Sequence, residues 1–194
     1  DVGMIAGNGF LEDPANLGAV LSGRTLADPQ VVNGRRPVVL ASYFLDRALY
    51  GLEPAGWRIT SLLLHLGCAA LWMVLLRRTT RDDYLAAAAG LLFALHPAAS
   101  EAVHAPGFRA DVMCLFFSLA FLNAFLVAGR WATPARIGGL ACLALALLAK
   151  ETALAAPLAL GALGLVFPAA FPGARRAPVG WRAAAGGRGP GVVA

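Results

Sequence analysis

The sequence predicts an all-α fold, a polytopic bundle of transmembrane helices with an extracytoplasmic loop that carries an interfacial amphipathic helix. Three observations predict it. Hydrophobic residues make up 59% and charged residues 14% of the 194 positions, against about 45–50% and 25% in ordinary soluble domains, and the mean hydropathy is +0.68. Apolar runs approaching the roughly 20 residues that a bilayer crossing needs recur along the chain. The arginines collect between those runs, so the net charge of +5 is read first against a membrane. No basic run interleaved with aromatics occurs outside the loops, which argues against nucleic acid as a partner. Cys68, Cys114 and Cys142 each lie inside an apolar run without CxxC or Cys/His spacing, as small core hydrophobes do.

In chain order, residues 1–56 read as the extracytoplasmic loop, 57–172 as a bundle of about five spans, and 173–194 as a Gly/Arg-rich tail without structure. The first residue is Asp1, and no basic segment followed by a short apolar stretch precedes it. Either a leader has been removed or the sequence starts partway into a longer protein. Within residues 1–35 only a short helix over Pro14–Ser22 is expected, with Asp13 as its cap and Pro14 in the first turn. Arg36–Leu52 differs: Pro37 starts it, Gly51 stops it, and Leu40, Tyr43, Phe44, Arg47, Ala48 and Tyr50 give an aromatic-rich amphipathic helix. With apolar spans directly after it, that helix is expected in the interface plane, the competing reading being a soluble partner-binding helix.

Trp57–Leu76 is the clearest span, opened by an interfacial Trp and closed by Arg77 and Arg78. His65 lies inside it and needs a helix-to-helix hydrogen bond. Tyr84–Ala99 is short for a span, about 24 Å by helix rise. Val112–Ala128 carries Asn123 as its strongly polar member; Ile137–Ala149 and Thr152–Phe171 follow, separated by Lys150 and Glu151. A single helix through that point would exceed the bilayer and strand two charges at mid-depth, so a charged turn is expected there.

Arginine counting orients the bundle. RRTTRDD at 77–83, GRWATPAR at 129–136 and GARRAPVGWR in the tail are Arg-rich, whereas His96–Asp111 and the Lys150 turn hold one Lys or Arg each. The Arg-rich loops are therefore cytoplasmic and the others external. Asp1, Glu12, Asp13, Arg36, Glu101, Arg109, Asp111, Lys150 and Glu151 then meet on one face, an arrangement suited to a lipid-linked anionic substrate held at headgroup level. The external stretch HPAASEAVHAPGFRAD gathers His96, Glu101, His104, Arg109 and Asp111, which reads as a functional site or as a solvated loop.

Three passages, RRPVVLASYFLDRALYGLEPAGWRITSLLLHL, LLFALHPAASEAVHAPGFRADV and LALLAKETALAAPLAL, occur in the order and spacing of the polytopic GT-C glycosyltransferases. They most resemble the transmembrane-and-TPR-containing O-mannosyltransferases and their bacterial relatives, over about Asp1–Leu160. The resemblance implies transfer of a sugar, such as mannose, from a polyprenyl-phosphate donor to an extracytoplasmic acceptor such as protein Ser/Thr or a glycan, in a bacterial inner membrane. It also implies a catalytic carboxylate in an acidic pair followed by three residues and an Ile. Asp1-Val-Gly-Met-Ile5 matches the second half of that motif, so the first acid and its span are expected upstream and the chain is expected to be a fragment.

Such a transfer needs a base for the acceptor hydroxyl and a cationic or metal site for the leaving phosphate. By the resemblance Asp1 is the base. Arg109 and Lys150 are the natural phosphate partners, unless they snorkel or pair with Asp111 and Glu151. Arg36, His96, Glu101, His104, Asp111 and Glu151 are expected to support the site. Glu101 and His104, three apart, share one face of a helical turn and are the candidates for a divalent cation; no other cofactor is expected. The competing function is a non-catalytic scaffold or transporter fragment that binds an anionic ligand.

Overall fold

A computed structural model describes residues 7–172; Asp1 and the tail lie outside the described residues. Among the described residues every regular element is helical: α1 Asn16–Leu21, α2 Pro37–Tyr50, α3 Pro54–Thr80, α4 Asp83–Leu95, α5 Ser100–His104, α6 Arg109–Phe125, α7 Ala132–Ala149 and α8 Ala155–Val166, joined by short 3-10 turns. Local chemistry fixes the boundaries. The first helix begins at Asn16, two residues later than the expected Pro14, with Ala15 rather than Asp13 at its N-cap; Asp13 Oδ1 accepts from the Ala15 N–H in the turn ahead of it. Pro37 and Pro54 occupy first-turn positions where a missing N–H costs nothing, and Gly51 takes φ +60° between them, a conformation that suits a residue without a Cβ. Asp82 caps α4 by accepting from the Leu85 N–H at 3.0 Å.

Three stretches, Pro54–Thr80, Pro106–Phe125 and Gly129–Ala149, are long and apolar enough to cross a membrane; Asp83–Leu95 and Glu151–Val166 are shorter apolar helices. α4 runs back along α3, since Arg77 Nε meets Asp83 Oδ1 at 2.8 Å where α4 begins and His65 Nε2 meets Ala94 O at 3.2 Å where it ends. It therefore stops about 16 Å short of the level at which α3 begins, by helix rise. Residues 96–108, folded as a 3-10 turn, α5 and a second 3-10 turn, climb the remaining distance.

α6 lies parallel to α3: Arg109 at its start donates to Trp57 O at 2.9 Å, and near its end Asn123 O accepts from Arg78 Nη1 at 2.8 Å. α7 returns against α6 in close contact, a Cβ on Gly139 falling 2.8 Å from Ala124 Cβ, the small-residue contact by which apolar helices approach where no hydrophobic drive separates protein from lipid. The chain then breaks at Lys150, which is extended (φ −161°, ψ 140°), as the charged turn requires. α8 itself is only 12 residues, yet its flanking turns carry it the length of the bundle, since Arg81 Nη2 reaches Ala169 O at 3.5 Å.

The bundle thus has two chemically different ends. Arg77, Arg78 and Arg81 share one with the α6–α7 connection. The other collects the starts of α3 and α6 and the end of α7, and α2 lies across them: Val39, Leu40, Tyr43 and Phe44 pack with Trp57, Ala110, Met113, Ala146, Ala149 and Ala153 in one buried cluster. A second cluster, with Cys68, Leu75, Leu119, Phe121 and Leu122, fills the bundle toward the Arg-rich end. Cys68 and Cys114 are buried and Cys142 half-buried, all as free thiols.

Candidate functional site

The end capped by α2 is organised by Arg109, the first residue of α6. Its side chain is fully enclosed and its Nη1 pairs with Asp46 Oδ2 at 2.5 Å, Asp46 being 1% exposed. Nη2 donates to Trp57 O and reaches Ser61 Oγ at 3.4 Å, and the guanidinium lies 5.1 Å from the Tyr43 ring centroid and 5.6 Å from that of Trp57. Asp46 Oδ1 in turn accepts from Thr60 Oγ1 at 2.8 Å. A planar, permanently charged fork can serve a carboxylate, a helix carbonyl and two aromatic faces together, which an ammonium cannot. Beside it, Tyr43 donates its hydroxyl to Pro106 O at 2.8 Å. Burial pushes the Tyr43 phenol above its usual range, the charges of Arg109 and Arg36 pulling the other way. Ser42, Tyr43 and Asp46 of α2 thereby grip residues 106–109.

The expected phosphate role of Arg109 is corrected by this geometry. With no exposed surface and its charge matched by Asp46, the guanidinium fastens α2, α3 and α6 together. A phosphate would reach it only by opening the core.

Lys150 and Asp111 are brought together as a rim pair, Nζ to Oδ1, with side chains 22% and 50% exposed. Exposed pairs of this kind are worth about 0–1 kcal/mol, so the pair can exchange partners. Two apolar clefts meet at Asp111 and its neighbour Leu115. One, of about 300 Å³, is lined by His65, Cys68, Phe93, His96 and Val112. The other, of about 380 Å³, runs between α6 and α8 past Trp72, Leu119, Thr152 and Ala159.

The remaining expected residues distribute unevenly. His96 is the C-terminal cap residue of α4 and lines the first cleft. Glu101 and His104 share the short α5 and are exposed, as is Glu151 at the first position of the 3-10 turn after Lys150. Arg36 is half-buried at the N-cap of α2, on a polar cavity formed by residues 28–36. Among the described residues no three His, Cys, Asp or Glu side chains form a group able to hold a metal ion. His65, stacked on Phe93 at 5.1 Å, makes the expected inter-helix bond. Asn123 does likewise, donating to Leu71 O at 3.0 Å.

Sequence reasoning passed over Asp46, Thr60 and Ser61. A signal was present: Asp46 is a lone acid amid the apolar and aromatic positions of α2, and an acid so placed needs a buried partner.

Along its length the chain is similar to protein O-mannosyl-transferase Tmtc1 of Drosophila melanogaster, 34% identical over 151 residues, which is 75% of this chain and 17% of that protein. The chain resembles one stretch of the TMTC protein O-mannosyl-transferases. Two mouse proteins of that name agree: TMTC2 is 38% identical over 45% of this chain and 10% of its own length, and TMTC1 is 36% identical over 52% and 11%. The TMTC-like chain therefore spans between about a tenth and a sixth of these relatives. No family model matches it, and no solved structure matches it significantly.

Proposed function

We propose that the chain forms part of a membrane glycosyltransferase of GT-C type that moves a sugar, mannose in the first instance, from a polyprenyl-phosphate donor to an extracytoplasmic acceptor such as a protein Ser or Thr. One observation carries the reading: Asp111, at which two apolar clefts converge, holds the cation Lys150 in an exchangeable pair. An isoprenoid chain needs an apolar cleft open to the bilayer, and its phosphate needs a cation at the mouth of that cleft. Lys150 is a point charge whose partner Asp111 can be displaced by a more highly charged group. The names of the relatives support sugar transfer to protein.

In the reaction a base takes the proton of the acceptor hydroxyl, the hydroxyl oxygen bonds to the sugar's anomeric carbon, and the bond from that carbon to the phosphate oxygen breaks. Lys150 stabilises the negative charge gathering on the departing lipid phosphate. The base proposed from the resemblance is Asp1, which lies outside the described residues. Arg36, His96, Glu101, His104 and Glu151 are proposed to serve acceptor or headgroup contacts. A divalent cation at Glu101 and His104 rests on spacing alone. Arginine asymmetry supports an external site. The bacterial inner membrane rests on the sequence resemblance, and the relatives named above are animal proteins.

The test expresses the whole coding sequence that contains this stretch, reconstitutes it in liposomes, and supplies radiolabelled mannose on a polyprenyl phosphate with a Ser/Thr-rich peptide. Transfer to peptide is expected, with the donor KM raised about tenfold or more in Lys150→Ala, the scale of one lost charge-assisted contact. Binding of polyprenyl phosphate without transfer from any of a panel of lipid-linked sugars would overturn the enzyme reading in favour of a non-catalytic anion binder.

A further inference from the structure

We propose that Asp46 is a positioning residue: acting through Arg109, it makes α2 a brace that steadies the separation of Asp111 and Lys150, and so the fit of the donor phosphate. The inference rests on the transferase reading for its consequence, though not for its geometry.

Asp111 and Lys150 are far apart in sequence, and each stands next to a residue that α2 covers completely. Arg109, two positions before Asp111, is enclosed and paired with Asp46. Ala149, immediately before Lys150, is fully buried in the cluster that holds Val39, Leu40, Tyr43 and Phe44 of α2. Asp111 and Lys150 are both partly exposed and meet at the rim, on helices that also pack directly, Cys114 Sγ of α6 lying 3.9 Å from Lys150 O. Their spacing depends on that direct packing and on the surface of α2 against which the start of α6 and the end of α7 are pressed. Asp46 is the charged element of that surface, steadied by the Thr60 hydroxyl of α3. A charge pair without solvent around it has one low-energy geometry, whereas apolar packing alone tolerates sliding. Losing the Asp46 charge frees the first turn of α6 to shift relative to Lys150, and displacements near 1 Å can cost about a hundredfold at a reacting centre.

Two measurements on the full-length protein test this. In the first, Asp111→Cys and Lys150→Cys are combined, and the yield of the disulfide between them, identified by peptide mapping, is read with Asp46 intact and with Asp46→Asn. The yield is expected to fall severalfold with Asp46→Asn and to recover with Asp46→Glu, which restores the charge. An unchanged yield overturns the inference whatever the protein's activity. In the second, the donor KM of Asp46→Asn rises with the acceptor KM unchanged, whereas a merely less stable enzyme loses kcat at constant donor KM. The latter result also overturns the inference. If Asp46→Asn does not fold, Ser42→Ala, which removes a 3.5 Å contact to Arg109 and a bond to Val39 O within α2, must show a smaller shift of the same kind, and no shift refutes the brace. A disulfide that responds to Asp46 in a protein that transfers no sugar would preserve the brace and remove the transferase reading.

Discussion

Replacing Arg109 with Ala should destabilise the protein by about 4–7 kcal/mol. The charge term comes first: the change leaves Asp46, 1% exposed, with Thr60's hydroxyl as its remaining bond, and a buried ion deprived of its partner costs about 3–5 kcal/mol. The Tyr43 and Trp57 faces also lose a desolvated cation, worth about 1–2 kcal/mol. Asp46→Ala alone should cost about 3–5 kcal/mol, because it strands the guanidinium instead. The double variant strands neither charge. Its loss should fall short of the summed single losses by about 2 kcal/mol or more, within the range seen for residues in contact. Filling the space with Asp46→Leu and Arg109→Met together should return most of that stability, since apolar isosteres of buried pairs are often neutral or better. Denaturant unfolding in detergent micelles, followed by tryptophan fluorescence, measures all four. A loss below about 1 kcal/mol for Arg109→Ala, or single losses that add to the double, would refute the idea that this pair fastens three helices.

Three further outcomes follow from the same structure. Lys150→Ala should change stability by less than about 1 kcal/mol, because its partner is half exposed, while donor binding weakens; equilibrium unfolding and donor titration on the same preparation separate the two. Gly139→Ala should destabilise by about 1–3 kcal/mol, the added Cβ standing 2.8 Å from that of Ala124 and forcing α6 and α7 apart; a neutral result would mean the helices part cheaply. His65→Leu should cost about 0.6 kcal/mol, the typical worth of an inter-helix hydrogen bond in lipid, by losing its contact with Ala94 O, and a several-fold larger loss would show that the imidazole serves more than that bond.

The helices were legible because proline, glycine and charge bound them. Pro37 and Gly51 delimit α2 where the sequence places them, α3 opens at Pro54, three residues ahead of the expected Trp57, and Lys150 breaks α7 from α8, since one continuous helix would strand its charge at mid-depth. α4 is short, as its run of apolar residues indicates, and it ends at Leu95 ahead of His96 and Pro97. Hydropathy does not register that the turns after Pro97 carry the chain upward outside a long helix. Of the candidate site, the meeting of Asp111 and Lys150 followed from loop sidedness. The inward turn of Arg109 did not, because its partner lies in α2, 63 positions earlier, and pairing at that distance leaves no periodic trace.

Arg109 and Lys150 look equivalent on paper, each a lone cation near an acid at the end of an apolar run, yet their chemistry sorts them. Arg109 reaches a carboxylate, a carbonyl, two hydroxyls and two rings from inside the protein. A fork with five donors suits such a crowded, dry position, and each added partner makes its removal more costly. Lys150 has a flexible stem, a strongly hydrated head and one carboxylate beside it, so opening that pair costs little. Fastening and binding make opposite demands on a salt bridge: the first must not open, and the second must open whenever a phosphate arrives. A chain that placed the arginine at the rim and the lysine in the core would hold its helices weakly and its ligand in a single fixed geometry. The arrangement seen, fork inside and point charge outside, lets α2 stay clamped to the bundle while the proposed anion site a few residues away remains free to trade one negative partner for another.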